Sequence, residues 1–167
     1  FRHVGFGNED QLQKPFGGTL KGIMDNIDYI KNLGCTAIWL SPVFENNPGS
    51  YHGYAIQNYM DVDKRWGTKE ELEQLVDKAH GLDIRVFLDI VLHHSGDNWS
   101  YPFDYDYFYA GGQRFPLGGW REKDRPLPVE LRDQELYNRK GQIRNFDAYP
   151  ETQEGDFFTL KTFRNDG

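Results

Sequence analysis

The chain has 167 residues, 19 of them basic and 26 acidic, for a formal net charge of -7, which is ample for one domain with its own core. A nucleic acid or an anionic membrane surface would want a basic face, and the overall balance argues against one. No apolar stretch approaches the length of a membrane span and no signal-peptide pattern is present; the chain starts at Phe1, as a processed or trimmed chain would, and its compartment cannot be read from it.

Phe1 to Gly18 is Gly-rich and polar and reads as a loop. From Thr19 on, Leu20, Ile23, Met24, Ile27, Ile30 and Leu33 recur at helical spacing, which predicts a helix over Thr19–Leu33 closed by Gly34. The apolar run Cys35–Leu40 then predicts a buried strand, ended by Ser41-Pro42 because proline cannot donate to a sheet ladder. Within it Trp39 reads as core and Cys35 as a buried, inert thiol; as the only cysteine it excludes an intrachain disulfide. Val43 to Trp66 is a long connection containing Asn46-Asn47-Pro48-Gly49 and Tyr51-His52-Gly53-Tyr54. Loops this long are usually functional or disordered, and aromatics interleaved with polar residues suit ligands with flat apolar faces, sugars among them. A second helix opens at Thr68, where Glu71 completes a capping box. Leu72, Leu75, Val76 and Ala79 form its apolar stripe and Gly81 its end.

The next strand, Ile84–Val91, runs into Leu92-His93-His94. Its nearly continuous apolar run is the pattern of a parallel strand covered on both faces. An ionised carboxylate there is costly unless paired, and ligand-handling groups gather where parallel strands end. Asp89, His93 and His94 therefore read either as a site or as one satisfied structural carboxylate beside two solvated histidines. Helix, strand, loop, helix, strand, with glycine closing each helix, is α/β order with parallel crossovers. After His94 that order stops. Ser95–Gly155 has no sustained period and is dense in Gly, Pro, aromatic and charged residues, an irregular and mostly β excursion. Within it Tyr137–Arg144 predicts a small hairpin with Gly141 at a positive φ, and Asp156–Phe163 begins a return.

Four stretches together resemble a known family. Gly34-Cys35-Thr36-Ala37-Ile38-Trp39-Leu40-Ser41-Pro42-Val43 resembles a second barrel strand and its exit. Tyr51-His52-Gly53-Tyr54 resembles a loop that brings an aromatic to the bond-cleaving subsite. Asp61-Val62-Asp63 followed by Trp66-Gly67-Thr68 resembles the approach to the second helix, and Asp89-Ile90-Val91-Leu92-His93-His94 the motif Asp-x-Val-x-Asn-His. In this order and spacing they resemble the alpha-amylase family, glycoside hydrolase family thirteen. The resemblance implies a (β/α)8 TIM barrel whose first half occupies residues 1–94, an irregular insert (domain B) at 95–155, and a return toward the barrel at 156–167. It also implies retaining cleavage of α-glucosidic bonds in α-glucans or maltooligosaccharides. That chemistry needs a nucleophilic carboxylate and a carboxyl acid about 5–5.5 Å apart. The family takes these, and a third carboxylate, from its fourth, fifth and seventh strands, which this chain does not reach. It is therefore expected to be a piece of a larger enzyme, inactive by itself, whose open barrel face would favour pairing with a second copy.

Carried over by position, Asp89 and His94 help to build the cleavage subsite and Tyr54 stacks on the sugar. Asp89 can orient a neighbouring cation, and His94 can donate from a ring nitrogen to a sugar hydroxyl. His52 reads equally as a sugar contact or a loop-ordering residue. Trp66 reads as loop packing, while Trp99, Tyr101 and Tyr105 either line outer subsites or build a small core of their own. His93 stands where many members have an asparagine that helps to hold calcium, and imidazole is a poor substitute for an oxygen ligand. No metal-binding residue is assigned on that ground, although calcium can accompany the parent enzyme, and Asn8 and Asp10 lie in a loop where some relatives bind one. Two other readings stand beside the hydrolase. One is a non-catalytic relative that kept the barrel for binding or scaffolding. The other is a metal-dependent barrel hydrolase using Asp89, His93, His94 and Asp97, disfavoured because adjacent histidines on an extended strand point to opposite sides.

Overall fold

The computed structural model describes residues 18–108, 113–121, 123 and 125–165. The predicted first helix is two short ones, α1 (Leu20–Asp25) and α2 (Ile27–Asn32). Thr19 caps α1, its hydroxyl accepting from the Gly22 N–H at 3.0 Å. The break falls at Asn26, whose side-chain amide donates to the Gly22 carbonyl at 2.8 Å. A side chain that bonds back to a carbonyl four residues earlier competes with the helix ladder. Gly34 closes α2 at φ 81.

Next come β1 (Ala37–Leu40), β2 (Phe44–Asn46), β3 (Ile56–Val62), α3 (Lys69–His80) and β4 (Arg85–Leu88). The capping box of α3 is present, with Thr68 Oγ1 accepting from Glu71 N–H and Glu71 Oε2 from Thr68 N–H. Gly81 ends α3 at φ -60, and the left-handed residue is Asp83 instead, at φ 56. β1 and β4 pair in parallel from Ala37↔Arg85 to Leu40↔Leu88. Leu20, Ile27, Leu75, Ala79 and Ile84 from the helices and their ends bury against Leu40, Val43 and Val62 to form the core. This is a helix-covered parallel strand pair, consistent with part of a (β/α) barrel, and the described residues do not close one.

The expectation that these strands are covered on both faces does not hold. Side chains alternate along a strand, so Ile38, Leu40 and Val86 meet the helices while Trp39 and Phe87 point the other way. Trp39 is 74% exposed and Phe87 52%, so Trp39 is not a core residue here. Cys35, just before β1, is exposed as well, not buried. The long connection is also more ordered than a loop. β2 and β3 pair antiparallel across it, with register shifts on both sides of Glu45 that blur the period-two pattern.

Beyond β4 the chain forms β5 (His94–Ser95), β6 (Trp99–Ser100), β7 (Gly119–Trp120), two 3-10 turns (Val129–Arg132 and Gln134–Leu136), α4 (Glu151–Glu154) and β8 (Lys161–Thr162). β5 pairs with β8 and β6 with β7, both antiparallel. Fully buried Trp99 packs edge-on against Tyr101 and Tyr137, while Tyr105 stacks on Phe115 at 4.0 Å. These aromatics make a second small core. No hairpin forms over 137–144, because Gln142 bridges to Asp106 and Asp156 instead. Gly141 does take a positive φ, 85, but for close approach: a Cβ would sit 2.4 Å from the Asp106 carbonyl oxygen. Buried Lys161 completes this region. Its Nζ lies 3.6 Å from Asp97 Oδ1 and 3.9 Å from Asp156 Oδ2, above the rings of Trp99 and Tyr101.

Candidate active site

The site is built where β1 and β4 end, and the segment Asn46–Ala55 is folded over it by buried polar residues. Asn46, 3% exposed, donates from its side chain to the Gly53 carbonyl at 2.7 Å and accepts from Ala55 N–H at 2.7 Å. Asp63 accepts from Asn46 N–H and pairs with Arg65, which donates to the Ser50 carbonyl at 2.8 Å. These bonds, with those from Arg65, hold the Asp63 carboxyl below its usual range although burial pushes it up. Gly53 (φ 84) lets this loop approach the strand exit, since a Cβ would lie 3.1 Å from the Pro42 carbonyl oxygen. Trp66 packs here with Arg65 over its ring, and its backbone carbonyl accepts from Leu20 N–H.

Tyr54 is thereby brought to the end of β4, where its phenol donates to Asp89 Oδ2 at 3.0 Å. His94 lies 3.2 Å through Nε2 from the Tyr54 carbonyl oxygen, so Nε2 carries the proton and donates. Its Nδ1 is 3.3 Å from His93 Nδ1. A donation from His94 to a hydroxyl therefore requires one of these contacts to be exchanged. Burial, and the neighbouring His93, push the His94 imidazole down to about 4. His52 shows both of its expected aspects. Its Nδ1 accepts from Tyr54 N–H at 3.0 Å, which orders the loop, and its ring stacks on Tyr54 with centroids 5.8 Å apart. Burial also lowers its pKa.

Tyr51, His52, Tyr54 and His94 line a cavity of about 710 Å³, and so do Phe157 and Phe158 from the segment that follows the irregular stretch. Asp89 is outside that lining and joins the site through Tyr54. Asp97 is at the cavity wall but is paired with Arg121 at 3.0 Å and with Lys161. Phe157 and Phe158 were not singled out from sequence. An aromatic pair inside an irregular stretch carries no periodic signal, and only the return of the chain along β5 brings it here. Asn46 and Asp63 were also not assigned roles, because their buried polar bonds join residues that the sequence pattern does not connect. As for calcium, His93 offers an imidazole facing another imidazole, which does not fit a hard, oxygen-seeking cation. Among the described residues no group of three or more His, Cys, Asp or Glu side chains could hold a metal ion. Asn8 and Asp10 lie outside the described residues.

A helix-backed parallel strand pair with an aromatic and polar cluster at its C-terminal end is consistent with the ligand-binding face of an α/β fold, a barrel among them. Comparison with known proteins narrows the class. The family model for the alpha amylase catalytic domain matches residues 5–110, more than half the chain. Alpha-amylase 2 of Dictyoglomus thermophilum is 48% identical over 85 residues, covering 51% of this chain and 15% of its own length. Oligo-1,6-glucosidase of Heyndrickxia coagulans is 42% identical over 84 residues, 50% of this chain and 15% of its own length. In three dimensions the alpha-amylase of Geobacillus thermoleovorans, complexed with acarbose, superposes with a TM-score of 0.65 at 31% identity, over 94% of this chain and 29% of that one. The chain belongs to the alpha-amylase family. It spans about 15% of the length of those two curated relatives, which are glycosidases by name.

Proposed function

We propose that this chain builds one wall of the substrate cleft of a retaining glycoside hydrolase acting on α-glucosidic bonds of α-glucans or maltooligosaccharides. The observation that carries the reading is the convergence of Tyr54, Asp89 and His94 at the ends of the parallel strands, tied by the Tyr54–Asp89 and His94–Tyr54 hydrogen bonds. Tyr54 offers its ring face to the C–H groups of a glucosyl residue. Asp89 holds the phenol and supplies negative charge to orient a neighbouring cation. His94 fixes the Tyr54 backbone and meets a sugar hydroxyl when one of its two contacts is exchanged. The names of the relatives support an α-glucan ligand, and acarbose in the solved relative supports an oligosaccharide-shaped cleft. Within this reading residues 1–94 are barrel, 95–155 the insert and 156–167 the return. These 167 residues do not turn over substrate alone, because a nucleophile and an acid must face each other across one sugar. Asp97 and Asp106 are each engaged in an ion pair within the irregular region.

Calorimetric titration of the purified chain with acarbose and with maltoheptaose tests the reading. Saturable binding weakened about tenfold by Tyr54→Ala is expected, a loss on the order of 1.4 kcal/mol. An absence of saturable binding to the folded wild-type chain would overturn it. Turnover of a chromogenic α-glucoside that Asp89→Asn abolishes would overturn the assignment of Asp89 as a supporting group.

A further inference from the structure

His93 and His94 are adjacent in sequence, and adjacent side chains on an extended strand point to opposite sides. Here they do not. His93 stands at a bend just before β5, and the two Nδ1 atoms lie 3.3 Å apart. The rings are close to perpendicular, at 86°, with centroids 5.6 Å apart. That separation is about the distance between the two Nδ1 atoms plus one ring radius on either side, so the nitrogens point at each other. Both backbones are anchored by other elements. The His93 carbonyl accepts from Phe163 N–H at 2.9 Å, just past β8, and the His94 carbonyl accepts from the Tyr59 phenol of β3 at 3.0 Å.

Counting protons fixes the direction of this bond. Burial and His93 push the His94 imidazole down to about 4, so at neutral pH the ring is uncharged and carries one N–H. Its Nε2 faces the Tyr54 carbonyl at 3.2 Å, which can only accept, so the proton is there. His94 Nδ1 is therefore an acceptor, and the proton between the two rings belongs to His93 Nδ1. We propose that His93 is a positioning residue of the cleft: it donates to His94 Nδ1, orients that ring, and leaves Nε2–H as the one donor His94 offers a sugar hydroxyl. The inference rests on the proposed α-glucan cleft and deepens it by naming the contact that is exchanged. The sugar takes the place of the Tyr54 carbonyl, while the bond from His93 stays. A second group that fixes the tautomer and orientation of a working imidazole is the device of the Ser-His-Asp triad. In this chain an uncharged donor fills that part, and it keeps His94 neutral where a carboxylate would favour the imidazolium.

Nitrogen NMR of the whole chain, labelled at histidine, tests the arrangement before any sugar is added. The expected result is opposite tautomers, Nδ1–H on His93 and Nε2–H on His94, with a scalar coupling across the hydrogen bond between the two Nδ1 atoms. Saturating acarbose should move the His94 Nε2–H resonance and leave that coupling in place. Calorimetric titration with acarbose, with a calcium chelator present, then compares wild type with two variants whose fold circular dichroism verifies. His93→Leu has no donor, whereas the amide nitrogen of His93→Asn falls near the place of the imidazole Nδ1. His93→Leu should lose about tenfold in affinity, and His93→Asn should recover most of that loss. The same tautomer on both histidines, a coupling that saturation with acarbose abolishes, or wild-type affinity in His93→Leu would each overturn the proposal. So would His93→Asn binding no better than His93→Leu, because a donor at this position would then not be what matters. Opposite tautomers in a chain that binds no acarbose would bring down the α-glucan cleft, and the part of His93 in it, while the bond between the two histidines stood.

Discussion

The phenol of Tyr54 donates to the Asp89 carboxylate at 3.0 Å although 35 residues separate them in sequence. The bond ties the aromatic loop to the end of β4, so the Tyr54 ring and the strand-end carboxylate are held together. It also sets the chemistry of the phenol. The hydrogen bond to Asp89, with some burial and the carboxylate's charge, raises the Tyr54 pKa above that of an ordinary tyrosine.

Asp89→Asn should therefore bring the Tyr54 phenol back toward the usual tyrosine range without unfolding the chain. Ring-carbon NMR of labelled tyrosine through alkaline pH measures this directly. An unchanged Tyr54 titration would mean that the two groups are not bonded in solution.

His94 gives the chain a pH dependence of definite sign. Its folded pKa is depressed from 6.5 to about 4, so between those values the unfolded chain binds more protons than the folded one. Stability then rises with pH through this window, is fully present above about 6.5, and is lost as pH falls toward 4. Urea denaturation at pH 4.5 and pH 7 should show a smaller pH difference in His94→Gln than in wild type. Since the charge of His93 lowers this pKa, His93→Asn should move the His94 resonance midpoint upward; a downward move would contradict the like-charge contact.

Calcium should not depend on position 93. Two facing imidazoles make a poor site for a hard cation, whereas asparagine offers an oxygen. Calorimetric titration with calcium should show no binding that involves His93, and a gain in His93→Asn if the remaining donors are present. Tight binding by wild type that the substitution leaves unchanged would place the ion elsewhere.

Lys161 is a buried cation of the irregular region, with Asp97 and Asp156 as its carboxylate partners. Burial pushes the Asp156 carboxyl up to about 6, against the pull of Lys161, Thr162 N–H and the Tyr101 phenol. Lys161→Met leaves that carboxylate without its cation and should cost about 3–5 kcal/mol, as removal of one partner of a buried pair does. Chemical denaturation measures the loss. Adding Asp156→Asn should restore part of it, and a double variant no more stable than Lys161→Met would show that the two residues are not coupled.

Local signals made half of this molecule legible. The capping box of Thr68 and Glu71, the apolar stripe of Leu72, Leu75 and Ala79, and the parallel strands around Ile38 and Val86 each follow from residues within a turn or a strand of one another. So did the cluster at the strand ends, because Asp89 and His94 are polar where the strand should be apolar. Tertiary structure decided the rest. Whether Trp39 is core depends on what lies over its face of the sheet, and no pattern inside Cys35–Leu40 contains that information. The proton on His94 Nε2 is fixed by a carbonyl 40 residues away, and Phe157 and Phe158 reach the cavity because β8 pairs with β5 across the whole irregular segment. Periodicity reports which side of an element is apolar, since that is set by its own geometry. It is silent on which distant element covers that side, because the path of the chain between them is settled by turns and buried polar bonds that leave no repeating trace in the sequence.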